Sequence, residues 1–278
     1  MASDPVWEGN MGRNWARLRE ATDRQLAEVG EVGLDRLKAK PGERILDLGC
    51  GGGTTTLAIS GAVGPTGRVS GIDVSPDLVA HACQRLEAFP QATMIEAEAA
   101  SHPFEPASHD ALFSRHGCMF FTDALAAFTN IRSALRPDAR AVMTAFTSLA
   151  ENPWATVPLQ AAESVLGRAP EAFQPPPGPF AWAEPSVFEK VLRGAGFRSV
   201  AWERRSVTFT VGAGDDPDPI ERACNMVLSI GMVARRVMTE GEGARDRVRP
   251  ALRQALGPHV RDRWVRLPAQ IWLVTAIA

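Results

Sequence analysis

Three glycines at alternate positions, Gly49, Gly51 and Gly53, directly follow a short apolar run that ends at Leu48. An apolar run of this length is typical of a strand buried in a parallel sheet. Glycines after such a strand permit a tight turn, and a ligand can approach the backbone closely because no Cβ is in the way. The spacing therefore predicts the strand, turn and helix that open a nucleotide-binding unit.

Two acidic residues accompany these glycines. Asp47 lies within the predicted strand, and Asp73 ends the next predicted strand, 20 residues after Gly53. A carboxylate at the second position can accept hydrogen bonds from both hydroxyls of a ribose. The dinucleotide fingerprint G-x-G-x-x-G, counted from Gly49, requires a glycine where this chain has Thr54. The pattern therefore argues against a dinucleotide.

The glycine cluster and the two acids together resemble motif I and the following acidic strand end of the class I S-adenosylmethionine (SAM) dependent methyltransferases. The resemblance extends over about residues 36 to 148. It implies an α/β fold with a doubly wound, seven-stranded, mostly parallel sheet, the Rossmann-like methyltransferase fold. It also implies SAM as the cofactor and S-adenosylhomocysteine as its product. The segment from Ser114 to Asp123 is similar to small-molecule members of the ubiquinone and menaquinone C-methyltransferase type.

Further cofactor contacts are implied in the loop after the third predicted strand. Similar enzymes carry G-D-A-x-x-L-P-F there, whereas residues 97–104 of this chain are A-E-A-A-S-H-P-F. The resemblance implies that Glu98 accepts a hydrogen bond from the adenine amino group and that the backbone N–H of Ala99 meets the ring. The implied cofactor-binding residues are Asp47, Gly49, Cys50, Gly51, Gly53, Asp73, Val74, Glu98, Ala99, Ser114 and Arg115.

His116 is the candidate catalytic residue. Ligands of open α/β sheets lie beyond the carboxyl ends of the strands, and the fourth predicted strand, 109–114, ends just before this residue. Residues 114–118 should therefore face the cofactor's sulfonium or the acceptor. An unperturbed imidazole pKa of about 6.5 suits proton removal near neutrality. The alternatives are that His116 packs in the core or binds the methionine part of the cofactor.

The chain is expected to have three parts. Residues 1–35 should form N-terminal lid helices, residues 36–148 the SAM-binding core, and residues 149–278 the rest of the sheet with helical caps at about 149–183 and 214–262. We predict one helix over Ile220–Met238, a closing strand over Ala269–Ile277 and an extended proline-rich loop over 174–179. The last strand of this fold normally returns through a short hairpin, so the long segment before it predicts a cap over the acceptor pocket.

Composition restricts the possible partners. The net charge of −2 provides no strong attraction to nucleic acid or to an anionic membrane. The four cysteines form no C-x-x-C pair, which argues against a zinc site or disulfides and suits a reducing cytoplasm. We expect no signal peptide after Met1 and no membrane-spanning segment. The prediction is a cytoplasmic protein without a metal site, and the sequence leaves its oligomeric state open.

These observations predict a SAM-dependent methyltransferase that acts on a small, partly apolar acceptor. Because the sulfonium already activates the methyl group, holding the acceptor in line and excluding water would supply most of the catalysis. The sequence does not specify whether O, N, C or S receives the methyl group. Two alternatives stay open: a SAM-binding protein without transferase activity, regulatory or degenerate, and an NAD-dependent oxidoreductase, against which Thr54 argues.

Overall fold

A mixed eight-stranded sheet forms the centre of the fold. The structure is a computed structural model, which describes residue 7 and residues 9–168 and 177–278. The strands are β1 (Arg44–Leu48), β2 (Arg68–Asp73), β3 (Ala92–Glu96), β4 (His109–Arg115), β5 (Leu135–Phe146), β6 (Arg198–Val211), β7 (Val260–Arg261) and β8 (Trp264–Ile277). Their order is β3-β2-β1-β4-β5-β8-β6, and β7 pairs with β8. β8 pairs antiparallel with β5 and with the edge strand β6, whereas the pairs among β1 to β5 are all parallel. The predicted mostly parallel sheet is confirmed, and the two-residue β7 is additional to its seven strands.

Helices cover both faces of this sheet. They are α1 (Asn10–Arg17), α2 (Arg19–Gln25), α3 (Ala27–Leu37), α4 (Thr54–Val63), α5 (Pro76–Arg85), α6 (Ala124–Ser133), α7 (Pro153–Leu166), α8 (Pro185–Gly194), α9 (Pro219–Val227), α10 (Gly231–Thr239) and α11 (Ala244–Leu256). Successive strand residues point to opposite faces. Ile45 accordingly packs in a cluster with Ile59 of α4, whereas Leu46 packs in the cluster that contains Phe128 of α6. Because of this alternation, both faces of the sheet carry apolar side chains and are covered by helices, which gives the doubly wound arrangement.

The N-terminal helices connect the core to the later helices. Asn14 Nδ2 on α1 donates to the carbonyl oxygen of Ser229, between α9 and α10, at 3.2 Å. Arg24 Nη2 on α2 donates to the carbonyl oxygen of Gly212, just after β6, at 3.3 Å. In the later part of the chain, α7 packs against α11 and against α10. None of the helices within the described ranges is long and apolar enough to cross a membrane.

Two predicted elements differ from the structure, and a third is only partly covered by it. The single helix predicted over Ile220–Met238 is wrong: it is interrupted before Gly231, whose φ of 81° is incompatible with a continuous α-helix. The closing strand predicted over Ala269–Ile277 begins earlier, at Trp264, because β8 continues to pair with the long edge strand β6. The proline-rich loop predicted over 174–179 falls partly outside the described residues.

Candidate cofactor and acceptor site

A cavity of about 550 Å³ lies at the carboxyl ends of the parallel strands. This volume falls within the range of roughly 300 to 1,000 Å³ that is usual for small-molecule sites. Because parallel strands end at one edge of the sheet, distant parts of the sequence meet there. The strand-end residues on its wall are Leu48, Asp73, Ala97, Arg115, Phe146 and Val211.

The glycine loop after β1 is held by the end of β2. The N–H groups of Gly49 and Cys50 both donate to the carbonyl oxygen of Ile72, at 2.9 and 3.1 Å. The N–H of Gly51 donates to Asp73 Oδ2 at 2.9 Å. A Cβ on Gly49 would lie 2.7 Å from the Cα of Gly117, so glycine is required at that position. Three successive amide donors of the loop are therefore already paired within the protein.

Asp73 lies on the cavity wall with one backbone partner on each carboxylate oxygen. Its Oδ1 accepts from the N–H of Ser75 at 3.0 Å, and its Oδ2 accepts from Gly51. A carboxylate oxygen has two lone pairs, so both oxygens can still accept a hydroxyl from a ligand. Burial raises the pKa of Asp73, and the N–H donors of Ser75 and Gly51 oppose this rise.

A side chain of α6 holds the loop after β3 in place. Glu98 and Ala99 line the cavity, and Glu98 Oε1 accepts from the N–H of Ala100 at 2.9 Å. Asn130 Nδ2 donates to the carbonyl oxygens of Ala99 and His102, both at 2.9 Å. This role of Asn130 was not predicted, because a lone asparagine on a helix gives no local signal of a partner 31 residues away.

Asp47 and Ser114 were expected to contact the cofactor, and the structure corrects both. Neither residue is on the cavity wall. Asp47 is fully buried under the glycine loop, where its Oδ2 accepts from the hydroxyls of Thr55 and Thr56 at 2.8 and 2.7 Å. Ser114 donates its hydroxyl to the carbonyl oxygen of Leu48 at 2.9 Å. Both side chains therefore support the loop from beneath.

The prediction that Gly53 binds the cofactor is corrected in the same way. It precedes α4 with a φ of 78° and does not line the cavity, whereas Gly49, Cys50 and Gly51 do. A Cβ at this position would lie 2.9 Å from the Cβ of Ala82 on α5. Glycine is needed here for close helix packing and for the backbone conformation.

Cys50 itself is buried, and burial raises the pKa of its thiol well above the usual value.

An ionic cluster around Asp23 connects α2 to the glycine loop. Asp23 Oδ1 accepts from the hydroxyl of Thr54 at 2.5 Å, and Asp23 Oδ2 accepts from Arg85 Nη2 at 2.7 Å. Arg115 Nη2 lies 3.9 Å from Asp23 Oδ1. Burial lowers the pKa of Arg115, and the Asp23 carboxylate opposes this effect. Asp23 and Arg19 both line the cavity, and neither was predicted, because only the fold brings α2 to this edge.

His116 lies on the cavity wall with only 6% of its surface exposed. Its ring stacks on Phe146, with 4.1 Å between ring centroids, and its Nδ1 lies 3.2 Å from the carbonyl oxygen of Thr144. Its Nε2 is buried without a hydrogen-bond partner in the part of the chain that the structure describes. Burial lowers its pKa to about 3. This pKa is far below the unperturbed value of about 6.5, so His116 is uncharged at pH 7.

Aromatic side chains form the other walls of the cavity. Phe146 and Trp154 lie 4.8 Å apart, and Phe146 and Phe180 lie 5.8 Å apart, between ring centroids. On the side of the N-terminal helices, Trp7 packs edge-on against Trp15 at 5.5 Å and against Phe120 at 5.2 Å. All of these residues line the cavity. The sequence does not predict this grouping, because its members come from four distant segments.

Comparison with known proteins decides the family. A family model described as a methyltransferase domain matches residues 45–138. The O-methyltransferase rstn1 of Aspergillus nomiae is 34% identical over 167 residues, which cover 58% of this chain and 67% of that protein. The chain belongs to the class I SAM-dependent methyltransferase family. The resemblance inferred from the glycine loop and the two acids is thus confirmed, and with it the cofactor SAM.

Two further comparisons show other proteins to which the chain is similar. The 2-phytyl-1,4-naphtoquinone methyltransferase of Trichormus variabilis is 36% identical over 119 residues, 42% of this chain and 52% of that protein. The structure of a SAM-dependent methyltransferase from Aquifex aeolicus has the same fold, with a TM-score of 0.53 and 15% identity over 95% of this chain and 98% of that chain. The curated relatives extend well beyond the matched region, since the chain spans between 32% and 67% of the first of them.

Proposed function

We propose that this methyltransferase transfers the methyl group of SAM to a small, partly apolar acceptor. The observation that carries the proposal is the pairing of the glycine-loop amides with Ile72 and Asp73. A dinucleotide needs free amide donors for its pyrophosphate. SAM has no phosphate, and its ribose requires the carboxylate that Asp73 presents. The loop therefore favours an adenosyl ligand over NAD.

Residues of β2, β3 and the loops that follow them would hold the adenosine part. Asp73 would accept the ribose hydroxyls, with Val74 beside it, and Glu98 and the N–H of Ala99 would meet the adenine. Arg115 and Asp23 provide charges of opposite sign on the same wall. These charges match the carboxylate and the ammonium group of the methionine part, so we assign them to that end of the cofactor.

When bound, the cofactor supplies a methyl group activated by a sulfonium and leaves as S-adenosylhomocysteine. The chain's own contribution is to orient the acceptor and exclude water, for which the aromatic walls are suited. His116 would accept a proton if the acceptor loses one. With a pKa of about 3, it would receive that proton as transfer proceeds, and would not ionise the acceptor beforehand.

The helices outside the core would enclose the acceptor. We infer that α1, α2 and α3 serve as a lid, and that α7 and α9 to α11 serve as the cap predicted from the long insertions. Residues of both groups, such as Trp15 and Met232, line the cavity. Closure from two sides would limit the entry of water.

We also infer a cytoplasmic location and no nucleic-acid partner. All four cysteines are free thiols, which suits a reducing compartment. The net charge of −2 provides no attraction to nucleic acid.

Calorimetric titration with SAM, S-adenosylhomocysteine and NAD tests the cofactor. We expect both adenosyl ligands to bind, NAD not to bind, and Asp73→Ala to lose at least about tenfold in affinity, because two charge-assisted hydrogen bonds are removed. Asp77→Ala, an exposed change on α5, is the matched control and should bind normally. NAD binding, or no adenosyl binding, would overturn the proposal.

Formation of S-adenosylhomocysteine in the presence of a panel of small aromatic acceptors separates a transferase from a protein that only binds SAM. We expect turnover with at least one member of the panel. Tight SAM binding without turnover across a broad panel would favour the binding protein.

A further inference from the structure

Arg24 joins the helix α2 to the last strand of the sheet. Its guanidinium carbon lies 4.1 Å from the centroid of the Trp264 ring, at the start of β8. Its Nη2 also donates to the carbonyl oxygen of Gly212 at 3.3 Å. A cation over the face of a tryptophan is attracted to the ring. Neither Arg24 nor Trp264 lines the cavity, so this contact lies behind the cavity wall.

The Trp264 ring is itself held in place by α9. Arg222 is buried, and its guanidinium carbon lies 4.6 Å from the centroid of the same ring. The terminal nitrogens of Arg222 donate to the carbonyl oxygens of Asp216 and of Arg263, which directly precedes Trp264. A Cβ on Gly212 would lie 3.2 Å from the ring, so the backbone after β6 packs closely against it. Trp264 therefore offers α2 a rigid surface.

The helix α2 is too short to fix its own orientation. It has seven residues and no side-chain hydrogen bond at its N-cap, and its buried side chains are those of Ala21 and Thr22. Helices shorter than about 12 residues are marginal by themselves. Small side chains bury little apolar area and stabilise the packing of a helix only weakly. The polar contacts of α2 therefore contribute much of what sets its rotation about its axis.

Asp23 directly precedes Arg24 and lines the cavity. Successive residues of an α-helix are rotated by about 100°, so the two side chains leave α2 in different directions. The Asp23 carboxylate accepts one hydrogen bond from Thr54 and one from Arg85. Its remaining lone pairs can accept from a ligand. A rotation of α2 that broke the contact of Arg24 with Trp264 would also turn this carboxylate.

We propose that Arg24 and Trp264 are positioning residues, which direct the Asp23 carboxylate at the ammonium group of the cofactor. The inference rests on the proposed function, which assigns Asp23 to the methionine part of SAM. The pair acts from outside the cavity and touches no ligand. It strengthens the preference of the site for an adenosyl ligand with an amino-acid part over one without it.

Two ligands distinguish positioning from general support of the fold. S-adenosylhomocysteine carries the amino-acid part, whereas methylthioadenosine has the same adenosine and sulfur atom without it. For Trp264→Leu and Arg24→Gln, we expect calorimetry to show an affinity for S-adenosylhomocysteine lowered about three- to fivefold, because the hydrogen bond from the ammonium group is weakened. The affinity for methylthioadenosine should be unchanged.

Two further variants serve as controls. Trp264→Phe keeps a ring face for Arg24 and should retain most of the affinity for S-adenosylhomocysteine. Arg17→Gln removes the same charge from an exposed position at the end of α1 and should change neither affinity. Arg24→Gln alters a half-buried side chain, so it carries the test if Trp264→Leu does not fold.

A double-mutant cycle shows whether the effect passes through Asp23. In an Asp23→Asn background, we expect Trp264→Leu to leave the affinity for S-adenosylhomocysteine unchanged, because the carboxylate that it positions is absent. Urea unfolding of each variant shows that it is folded under the conditions of the titration. A loss of the same size in both backgrounds would overturn the proposal.

Equal weakening of both ligands, or of neither, would also overturn it. If the unaltered protein binds neither ligand, the proposed function fails. If it binds both equally well, the assignment of Asp23 to the ammonium group fails. Both of these results are seen in the unaltered protein, whereas a failure of the positioning role is seen only in the variants, so the failures are distinguishable.

Discussion

Nδ1 of His116 lies 3.2 Å from the carbonyl oxygen of Thr144 and 3.3 Å from the hydroxyl oxygen of the same residue. The backbone N–H of His116 also donates to Thr144 Oγ1, at 3.2 Å. One residue of β5 thus holds the backbone and the ring of the candidate catalytic residue, which adopts a φ of 66° just after β4.

Acid should destabilise the fold partly through His116. Its pKa is about 3 when folded and about 6.5 when unfolded, so the unfolded chain binds the extra proton between these values and stability falls as the pH falls through this window. We expect about 2 kcal/mol less stability at pH 5 than at pH 7.5 from this residue alone. Urea unfolding at the two pH values, compared with His116→Asn, measures the difference.

His109, whose pKa burial also lowers, remains in both proteins and cancels from that comparison. A variant that loses as much stability in acid as the unaltered protein would show that His116 can be protonated in the folded state.

Alanine should be tolerated less well at Gly49 than at Gly51. Both glycines have positive φ, so each substitution carries a backbone cost of about 1–2 kcal/mol. At Gly49 the new Cβ would also meet the backbone of Gly117 at 2.7 Å, whereas at Gly51 no atom lies within 4 Å. We expect an additional loss of about 1–3 kcal/mol for Gly49→Ala in urea unfolding. Equal losses would indicate that the Gly117 loop moves freely.

Neutralising Asp23 should loosen α2 from the glycine loop. Asp23→Asn leaves Arg85 and Arg115 without their carboxylate, so we expect SAM affinity to fall roughly three- to tenfold. Amide hydrogen exchange in residues 19–25 should become faster. Glu20→Gln, on the exposed side of the same helix, where Glu20 pairs with Arg19, is the control and should change neither property. Unchanged exchange in Asp23→Asn would contradict a tethering role.

One part of the cavity wall could be predicted because its signals are local. One strand is followed by Gly49 and Gly51, and a second strand ends at Asp73. These local patterns specify the backbone geometry, and both strands end at the same edge of the sheet. Glu98 and Ala99 follow the next strand and line the same cavity. Chain order alone was enough here, since parallel strands place all of these ends together.

The local sequence could not show whether a side chain lines the cavity or supports the glycine loop from beneath. Asp47 and Ser114 lie next to cavity residues in the chain, but a strand directs alternate side chains to opposite faces, and both ended beneath the loop. The pKa of His116 in the folded protein could not be predicted for a related reason. It depends on burial among side chains such as Phe146 and Thr144, which chain position does not reveal.

By itself, the sequence determined the α/β class, because short-range hydrophobic patterns and glycine spacing encode strands and turns. Its resemblance to the class I SAM-dependent methyltransferases implied the doubly wound sheet and the adenosyl ligand. Only the tertiary structure decided which charged and aromatic side chains complete the cavity wall. Trp15 and Asp23 lie more than one hundred residues before Phe180 in the sequence. Only packing brings the three residues to one edge of the sheet. Hydrogen-bond partners and desolvation, and therefore the proton on His116, are properties of that assembled environment.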